Sequence, residues 1–136
     1  MANIMVGYDG SNCAKAAIRL AIEHATAFKG KVHVVTSVSD ANGKNFEKLE
    51  QAESQLQWAK NQFDSKGIQC EVHLLVRRFS SGKDIVTFAI ENEISEIIVG
   101  VLKRSKLEKL IMGSTAQYVI LKAPCPVVTV KYEKRN

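Results

Sequence analysis

The fold is decided near the start of the chain by the stretch Ile4-Met5-Val6-Gly7-Tyr8-Asp9-Gly10-Ser11. Its apolar run is typical of a short buried strand, and the Asp-Gly-Ser behind it is strong turn chemistry. Apolar residues then recur at helical spacing over residues 12–28, with Ser11 placed to cap that helix. A strand, a tight turn and a helix in direct succession predict an α/β fold.

The same alternation continues to the end of the chain. Strands are predicted over residues 31–38, 70–76, 96–99 and 127–130, and helices over residues 46–63, 83–92 and 114–122. Gly30 and Gly67 are placed to end the first two helices, and Ser81 and Asp84 have the spacing of a variant capping box.

The five predicted strands indicate a single parallel sheet. The inner strands are nearly continuous apolar runs, as expected when helices cover both faces. Right-handed crossovers then give a doubly wound sheet of order 3-2-1-4-5, and residues 1–136 are predicted to form one domain. In this topology ligands bind beyond the carboxyl ends of strands 1 and 4, where the connections diverge to opposite faces.

Two glycine-containing segments fall at that point. Asp9-Gly10-Ser11 follows strand 1, and Gly100 ends strand 4. A basic loop over residues 101–107 comes next, with Lys103 and Arg104 in it, and Gly113-Ser114-Thr115 opens the last helix. Backbone N–H groups and hydroxyls at a helix start suit a phosphate, so the segment predicts an anion site.

Composition limits the alternatives. The net charge of +5 favours anionic partners, but the sequence holds no recognised nucleic-acid motif, and the aromatic residues are not interleaved with the basic run. No apolar run reaches the roughly 18 residues needed to cross a membrane, and the first residues form a strand pattern without a signal peptide, so a cytoplasmic protein is expected. Three scattered cysteines fit reduced thiols.

Metal and catalytic signatures are weak. The three histidines show no metal-binding spacing with one another or with the cysteines, so no metal site is expected. Neither a G-x-S-x-G elbow nor a full P-loop is present. Asp9 is the one acid that the topology places near the crevice, which is thin support for catalysis.

With these segments assembled, the chain resembles the universal stress protein family over essentially its whole length. The resemblance is carried by the opening strand with Asp9-Gly10-Ser11, by Ile97-Ile98-Val99-Gly100, and by Gly113-Ser114-Thr115-Ala116. The ending Ala123-Pro124-Cys125-Pro126-Val127 adds to it. Members that bind ATP share a G-x-x-G-x9-G-[S/T] pattern, which this chain matches at Gly100, Gly113 and Ser114 but not at Lys103, where the middle glycine stands.

The resemblance implies a Rossmann-like fold of the adenine nucleotide alpha hydrolase-like type and a stress-response signalling module. It implies ATP or another adenine nucleotide as ligand, with Mg²⁺ accompanying the phosphates. It also implies a homodimer, often joined through the last strand, Val127–Val130. The implied nucleotide-binding residues are Asp9, Val38, Gly100, Lys103, Arg104, Ser105, Gly113, Ser114 and Thr115.

Alternatives stay open at this point. Lys103 either blocks the phosphates or contributes a charge to them, so the chain is either a nucleotide-binding module or a dimeric interaction module without nucleotide; a slow ATPase is a third reading. Gly100 and Gly113 could be structural, Asp9 could only shape its turn, and the basic segment could be a solvated loop face.

Overall fold

The structure is a computed structural model that describes residues 2–39, 46–76, 80–104 and 109–134. Within these ranges the chain forms four helices and six strands. In chain order they are β1 (Asn3–Gly7), α1 (Asn12–Phe28), β2 (Lys31–Val38), α2 (Phe46–Asp64), β3 (Cys70–Val76), α3 (Ser81–Glu91), β4 (Glu96–Arg104), β5 (Lys109–Ile111), α4 (Ser114–Lys122) and β6 (Val127–Lys134).

The central sheet has the predicted topology. Five strands are parallel in the order β3-β2-β1-β4-β6, so the predicted order 3-2-1-4-5 is confirmed, with β6 as its fifth strand. β1 lies between β2 and β4, and the pairs Met5–His33 and Met5–Ile97 fix its register on the two sides. The connections from β1 and β4 therefore leave the sheet next to each other.

The end of β4 differs from the prediction. Residues 101–104 were expected in a basic loop, but β4 continues through them and pairs with β6 as far as Arg104 and Lys134. On its other side, beyond the end of β1, the same segment pairs antiparallel with the short strand β5. Lys103 lies opposite Leu110 and Glu133. Pairing with β6, which lies far along the chain, and with the neighbouring β5 overrides the local loop signal here.

Helices cover both faces of the sheet. On one face α1 and α2 enclose a core that includes Ile18, Leu56 and Phe63 with Val6 and Val34 of the sheet. On the other face, α3 and α4 pack on the opposite side chains of the same strands, including Met5, Val35, Ile85, Phe88, Ile97 and Val119. The alternation of faces along β1 and β2 follows the period of two in a strand.

Helix ends confirm some predicted caps and correct others. The Ser11 hydroxyl accepts from the Ala14 N–H at 3.1 Å, and Gly67 has φ +71°, as predicted. The left-handed residue after α1 is Lys29, at φ 53°, rather than Gly30. The α3 cap is Ser80, which accepts from Lys83 N–H, so the predicted capping box at Ser81 is wrong by one residue. In the ranges described, none of the helices is both long and apolar enough to cross a membrane.

Candidate functional site

A cavity of about 450 Å³ opens at the carboxyl ends of β1 and β4. We call it the strand-end cavity. Five of the predicted site residues line it: Asp9, Gly100, Gly113, Ser114 and Thr115. The structure therefore brings the two predicted glycine-containing segments to one place, and the predicted switch point is where the fold has a concave surface.

The loop from β1 to α1 presents a carboxylate at the rim. The Asp9 side chain accepts from the Ser11 N–H through Oδ1 at 2.9 Å, which closes the turn. Gly10 lies in the left-handed region at φ +82°, where a side chain would also meet Gln55. Asp9 is exposed, and its Oδ2 has no partner among the described residues. Asp9 thus shapes its turn with one oxygen, and its other oxygen is exposed at the rim of the cavity.

The electrostatic effect of Asp9 reaches its neighbours. The pKa of the Tyr8 hydroxyl is raised, mainly by burial and to a smaller extent by the Asp9 carboxylate. The same two causes, in the same order, raise the pKa of the Cys13 thiol. Both groups therefore stay uncharged at neutral pH.

Gly100 has a structural reason to be glycine. A Cβ built on it would lie 2.1 Å from the backbone oxygen of Cys13, in the first turn of α1. That distance is far inside van der Waals contact, and the obstacle is backbone. Glycine at this position therefore lets α1 pack against β4, whether or not a ligand is present.

At Gly113, no packing contact among the described residues requires glycine. Its φ of −69° is open to any residue, and a Cβ built on it would have no atom of the described residues within 4 Å. It is the N-cap residue of α4 and, lacking a side chain, makes no cap hydrogen bond. The space beside the first backbone N–H groups of α4 is therefore open where the helix start meets the strand-end cavity.

The wall formed by β2 was missed by sequence reasoning. Residues 35–37 line the strand-end cavity, whereas the predicted Val38 does not. The Tyr8 N–H donates to the Val35 carbonyl at 2.9 Å, and the Thr36 hydroxyl donates to the Tyr8 carbonyl at 2.6 Å. These two bonds fix the end of β1 to β2. The polar pair Thr36-Ser37 near the end of an apolar strand is the sequence feature that could have indicated this wall.

Comparison with known proteins settles the family. The profile of the universal stress protein family matches residues 1–131. The chain belongs to this family. A universal stress protein of Thermus aquaticus, encoded 3′ of a QAH/OAS sulfhydrylase, is 31% identical over 94% of this chain and 97% of its own length.

Solved structures of the family have the same fold. A universal stress protein from Archaeoglobus fulgidus superimposes with a TM-score of 0.86 at 38% identity, over 96% of this chain and 99% of that one. The universal stress protein from Archaeoglobus fulgidus in complex with dAMP superimposes with a TM-score of 0.80 at 32% identity, over 96% and 98% of the two chains.

Lys103 stands where the pattern quoted above for ATP-binding members has its middle glycine. The structure places Lys103 on β4 and not among the described residues that line the strand-end cavity. The predicted roles of the Arg104 side chain and of Ser105 lie outside the described residues. Of the predicted site residues, Asp9, Gly100, Gly113, Ser114 and Thr115 therefore lie together, and Lys103 lies apart from them on β4.

Sequence reasoning also missed a cluster away from this cavity. The pairing of β2 with β3 brings His33, Glu71 and His73 together, with candidate ligand atoms all within 4.8 Å of one another. The expectation of no metal site was based on spacing along the chain, which does not reveal neighbours on adjacent strands. Glu71-x-His73, two residues on one face of a strand, was the signal that could have pointed to it.

Proposed function

We propose that this universal stress protein-family chain is a stress-response module that binds an adenine nucleotide in the strand-end cavity. The phosphate lies at the start of α4, and the nucleoside lies between the ends of β1, β2 and β4. Asp9, Gly100, Gly113, Ser114 and Thr115 are the residues of the predicted set that carry the proposal.

The start of α4 is the observation on which the proposal rests. Gly113 leaves open space at the helix N-terminus, where free N–H groups and the helix dipole favour an anion. Ser114 and Thr115 add hydroxyls on the same wall. Neither the backbone conformation nor packing against the described residues requires glycine at position 113, which supports close approach of a ligand as its reason.

Features of β2 and of Asp9 support the proposed position of the nucleoside. The Ser37 hydroxyl is buried in the cavity wall with no hydrogen-bond partner among the described residues, a condition that costs about 1 to 3 kcal/mol unless a ligand or water supplies one. The free oxygen of Asp9 is an acceptor suited to a ribose hydroxyl. The relative solved with dAMP, at 32% identity, makes an adenine nucleotide the class of choice.

Longer phosphate chains would extend from α4 towards the pairing of β4 with β5. In that direction lies Lys103, whose ammonium would partner a β- or γ-phosphate as a point charge. We therefore include ATP with Mg²⁺ among the ligands, with Lys103 as a contact for the longer nucleotides. Arg104 and Ser105 stay predicted contacts that the resemblance implies. Val38, which lies beyond the lining residues of β2, stays a predicted contact to the adenine edge through its backbone.

Calorimetric titration tests the proposal. The ligands are adenosine, AMP, dAMP and ATP, the last with and without Mg²⁺, and guanosine monophosphate is the matched control. Saturable 1:1 binding of the adenine nucleotides, tighter than that of adenosine, is the expected result. Absence of heat and of thermal stabilisation at millimolar nucleotide would overturn it.

A second candidate function is an interaction module without nucleotide, which Lys103 favours. If the lysine keeps phosphates out, Lys103→Gly gains ATP affinity in the same titration. Unchanged or weaker ATP binding in that variant removes Lys103 as the blocking residue. Lys103→Met separates the charge from the bulk of the side chain, because it keeps the length and loses the ammonium.

Homodimerisation through β6 belongs to both candidate functions. One side of β6 pairs with β4. The Ile97 N–H donates to the Pro126 carbonyl, so the parallel pattern turns the Thr129 N–H to the opposite side, where a second copy could pair. Thr129→Pro should therefore abolish a dimer while sparing the β4–β6 ladder. Equal masses for wild type and variant by light scattering would refute pairing through this edge.

Slow ATP hydrolysis ranks third. Asp9 is the one acid among the described residues that line the cavity, and one of its oxygens already holds the Ser11 N–H. Single-turnover rates of wild type and Asp9→Asn decide the point, and equal rates exclude Asp9 from any chemistry.

A further inference from the structure

We propose that His33, Glu71 and His73 form a binding site for a divalent transition-metal ion, with Zn²⁺ as the expected occupant. The site lies away from the strand-end cavity, on the face of the sheet covered by α3. It does not depend on the proposed nucleotide function, since none of the three residues lines that cavity.

Strand register brings the three side chains together. His33 of β2 lies directly opposite Glu71 of β3, and His73 follows two residues later on the same face. These positions are set by the ladder between the two strands, so the ligand-bearing backbone is rigid. A metal ion would bridge β2 to β3, which is at the edge of the sheet.

The distances fit a tetrahedral ion. His33 Nδ1 and His73 Nε2 are 3.1 Å apart, and Glu71 Oε2 lies 3.6 Å from the first and 3.7 Å from the second. Zn–N and Zn–O bonds near 2.1 Å place neighbouring tetrahedral ligands about 3.4 Å apart. Shifts of a few tenths of an ångström therefore suffice, and the ion replaces the hydrogen bond between the two imidazoles.

The surroundings hold the ligands and leave a way in. The Phe88 ring of α3 packs against both imidazoles, with centroids 6.0 Å from His33 and 4.6 Å from His73. Lys31 Nζ bonds Glu71 Oε1 at 2.9 Å, which orients the carboxylate and leaves Oε2 for the ion. The Glu71 side chain is 51% exposed and that of His73 26%, so solvent reaches the site and water can be the fourth ligand.

Ligand chemistry selects the class of ion. Two imidazoles and one carboxylate are a zinc donor set with one open position. Imidazole nitrogen favours Zn²⁺, Co²⁺, Ni²⁺ and Cu²⁺ over Mg²⁺ and Ca²⁺, which prefer oxygen ligands. The ammonium of Lys31 beside the carboxylate lowers the affinity but does not occupy a ligand position.

Metal titration of the full, untagged chain without nucleotide tests the proposal. Co²⁺ is followed by its visible absorption and then displaced with Zn²⁺, and Mg²⁺ is the negative control. The variants are His73→Ala and Glu71→Gln, both at partly exposed side chains. The matched control is His24→Ala, because His24 pairs with Glu96 at 2.5 Å in a second histidine–glutamate contact outside the cluster.

The expected result is one bound ion in wild type and in His24→Ala. His73→Ala should weaken binding by more than the roughly 10- to 100-fold that loss of an outer-shell partner costs, and Glu71→Gln by at least about tenfold. Amide NMR spectra confirm that each variant is folded. No stoichiometric binding in wild type overturns the proposal, as does wild-type affinity in both cluster variants, which would place the ion elsewhere.

Discussion

Replacing Gly113 with aspartate should weaken AMP binding strongly while the free energy of unfolding stays nearly unchanged or rises slightly. The φ and ψ of Gly113, −69° and 165°, are those of an ordinary N-cap residue, and a Cβ there meets no atom within 4 Å in the part of the chain that the structure describes. Aspartate is a better N-cap than glycine by a few tenths of a kcal/mol, and its charge suits the helix dipole by about 0.3 to 1 kcal/mol. The substitution should therefore not lower the free energy of unfolding.

The bound phosphate, in contrast, meets a like charge. Two unit charges 4 Å apart repel by about 1 kcal/mol in water and about 4 kcal/mol at an effective dielectric constant of 20. Position 113 is exposed, so a value between these limits applies, and the carboxylate also occupies N–H groups that the phosphate would use. AMP affinity should fall at least about tenfold.

Two ligands and three proteins make this test sharp. Calorimetry measures AMP and adenosine on wild type, Gly113→Asp and Gly113→Ser, and urea unfolding measures their stability. Adenosine should bind all three equally because it lacks the phosphate, and the neutral serine should cost less AMP affinity than aspartate. Wild-type AMP affinity in Gly113→Asp would refute the placement of the phosphate at α4.

Further predictions concern the walls of the cavity and the core. Gly100→Ala should destabilise the fold by about 3 kcal/mol in urea unfolding, because its Cβ meets the Cys13 backbone oxygen, and wild-type stability would disprove that packing. Thr36→Val should cost about 1 to 2 kcal/mol, since it leaves the Tyr8 carbonyl without its 2.6 Å donor, and should also weaken AMP binding; a change below 0.5 kcal/mol, on the order of unfolding error, would argue against the bond. Burial raises the pKa of Cys70 to about 12. Alkylation of Cys70 at pH 8 should therefore be about 1,000-fold slower in the folded chain than in urea, and its rate should rise about tenfold per pH unit. Rapid alkylation of Cys70 in the folded protein, located by peptide mapping, would contradict this.

Local patterns were enough to predict most elements. The bounds of α1, β2 and β3 match the predicted ones, because each has a clear apolar period and turn residues at both ends. The extension of β4 was not predictable in this way. Its charged residues resemble a loop until β6, which lies far along the chain, is known to pair with it, and β5 is too short to be recognised as a strand by its own pattern.

The candidate site was likewise predictable only in part. The meeting of Asp9 and Gly100 followed from sheet order alone, which parallel topology and crossover handedness constrain strongly. Sheet order does not show why Gly100 must be glycine, because the approach of Cys13 to Gly100 depends on how α1 packs. The residues of β2 that line the cavity, and the register that assembles the histidine cluster, likewise require three-dimensional pairing.

Amide NMR of the ¹⁵N-labelled wild-type chain, titrated with AMP, tests the central claim most directly. Binding at the start of α4 and the end of β1 predicts saturable shifts that are largest at the amides of residues 114–116 and 9–11, with a single dissociation constant for all of them. No shifts at millimolar AMP, or shifts centred on other elements such as β6, would contradict the account.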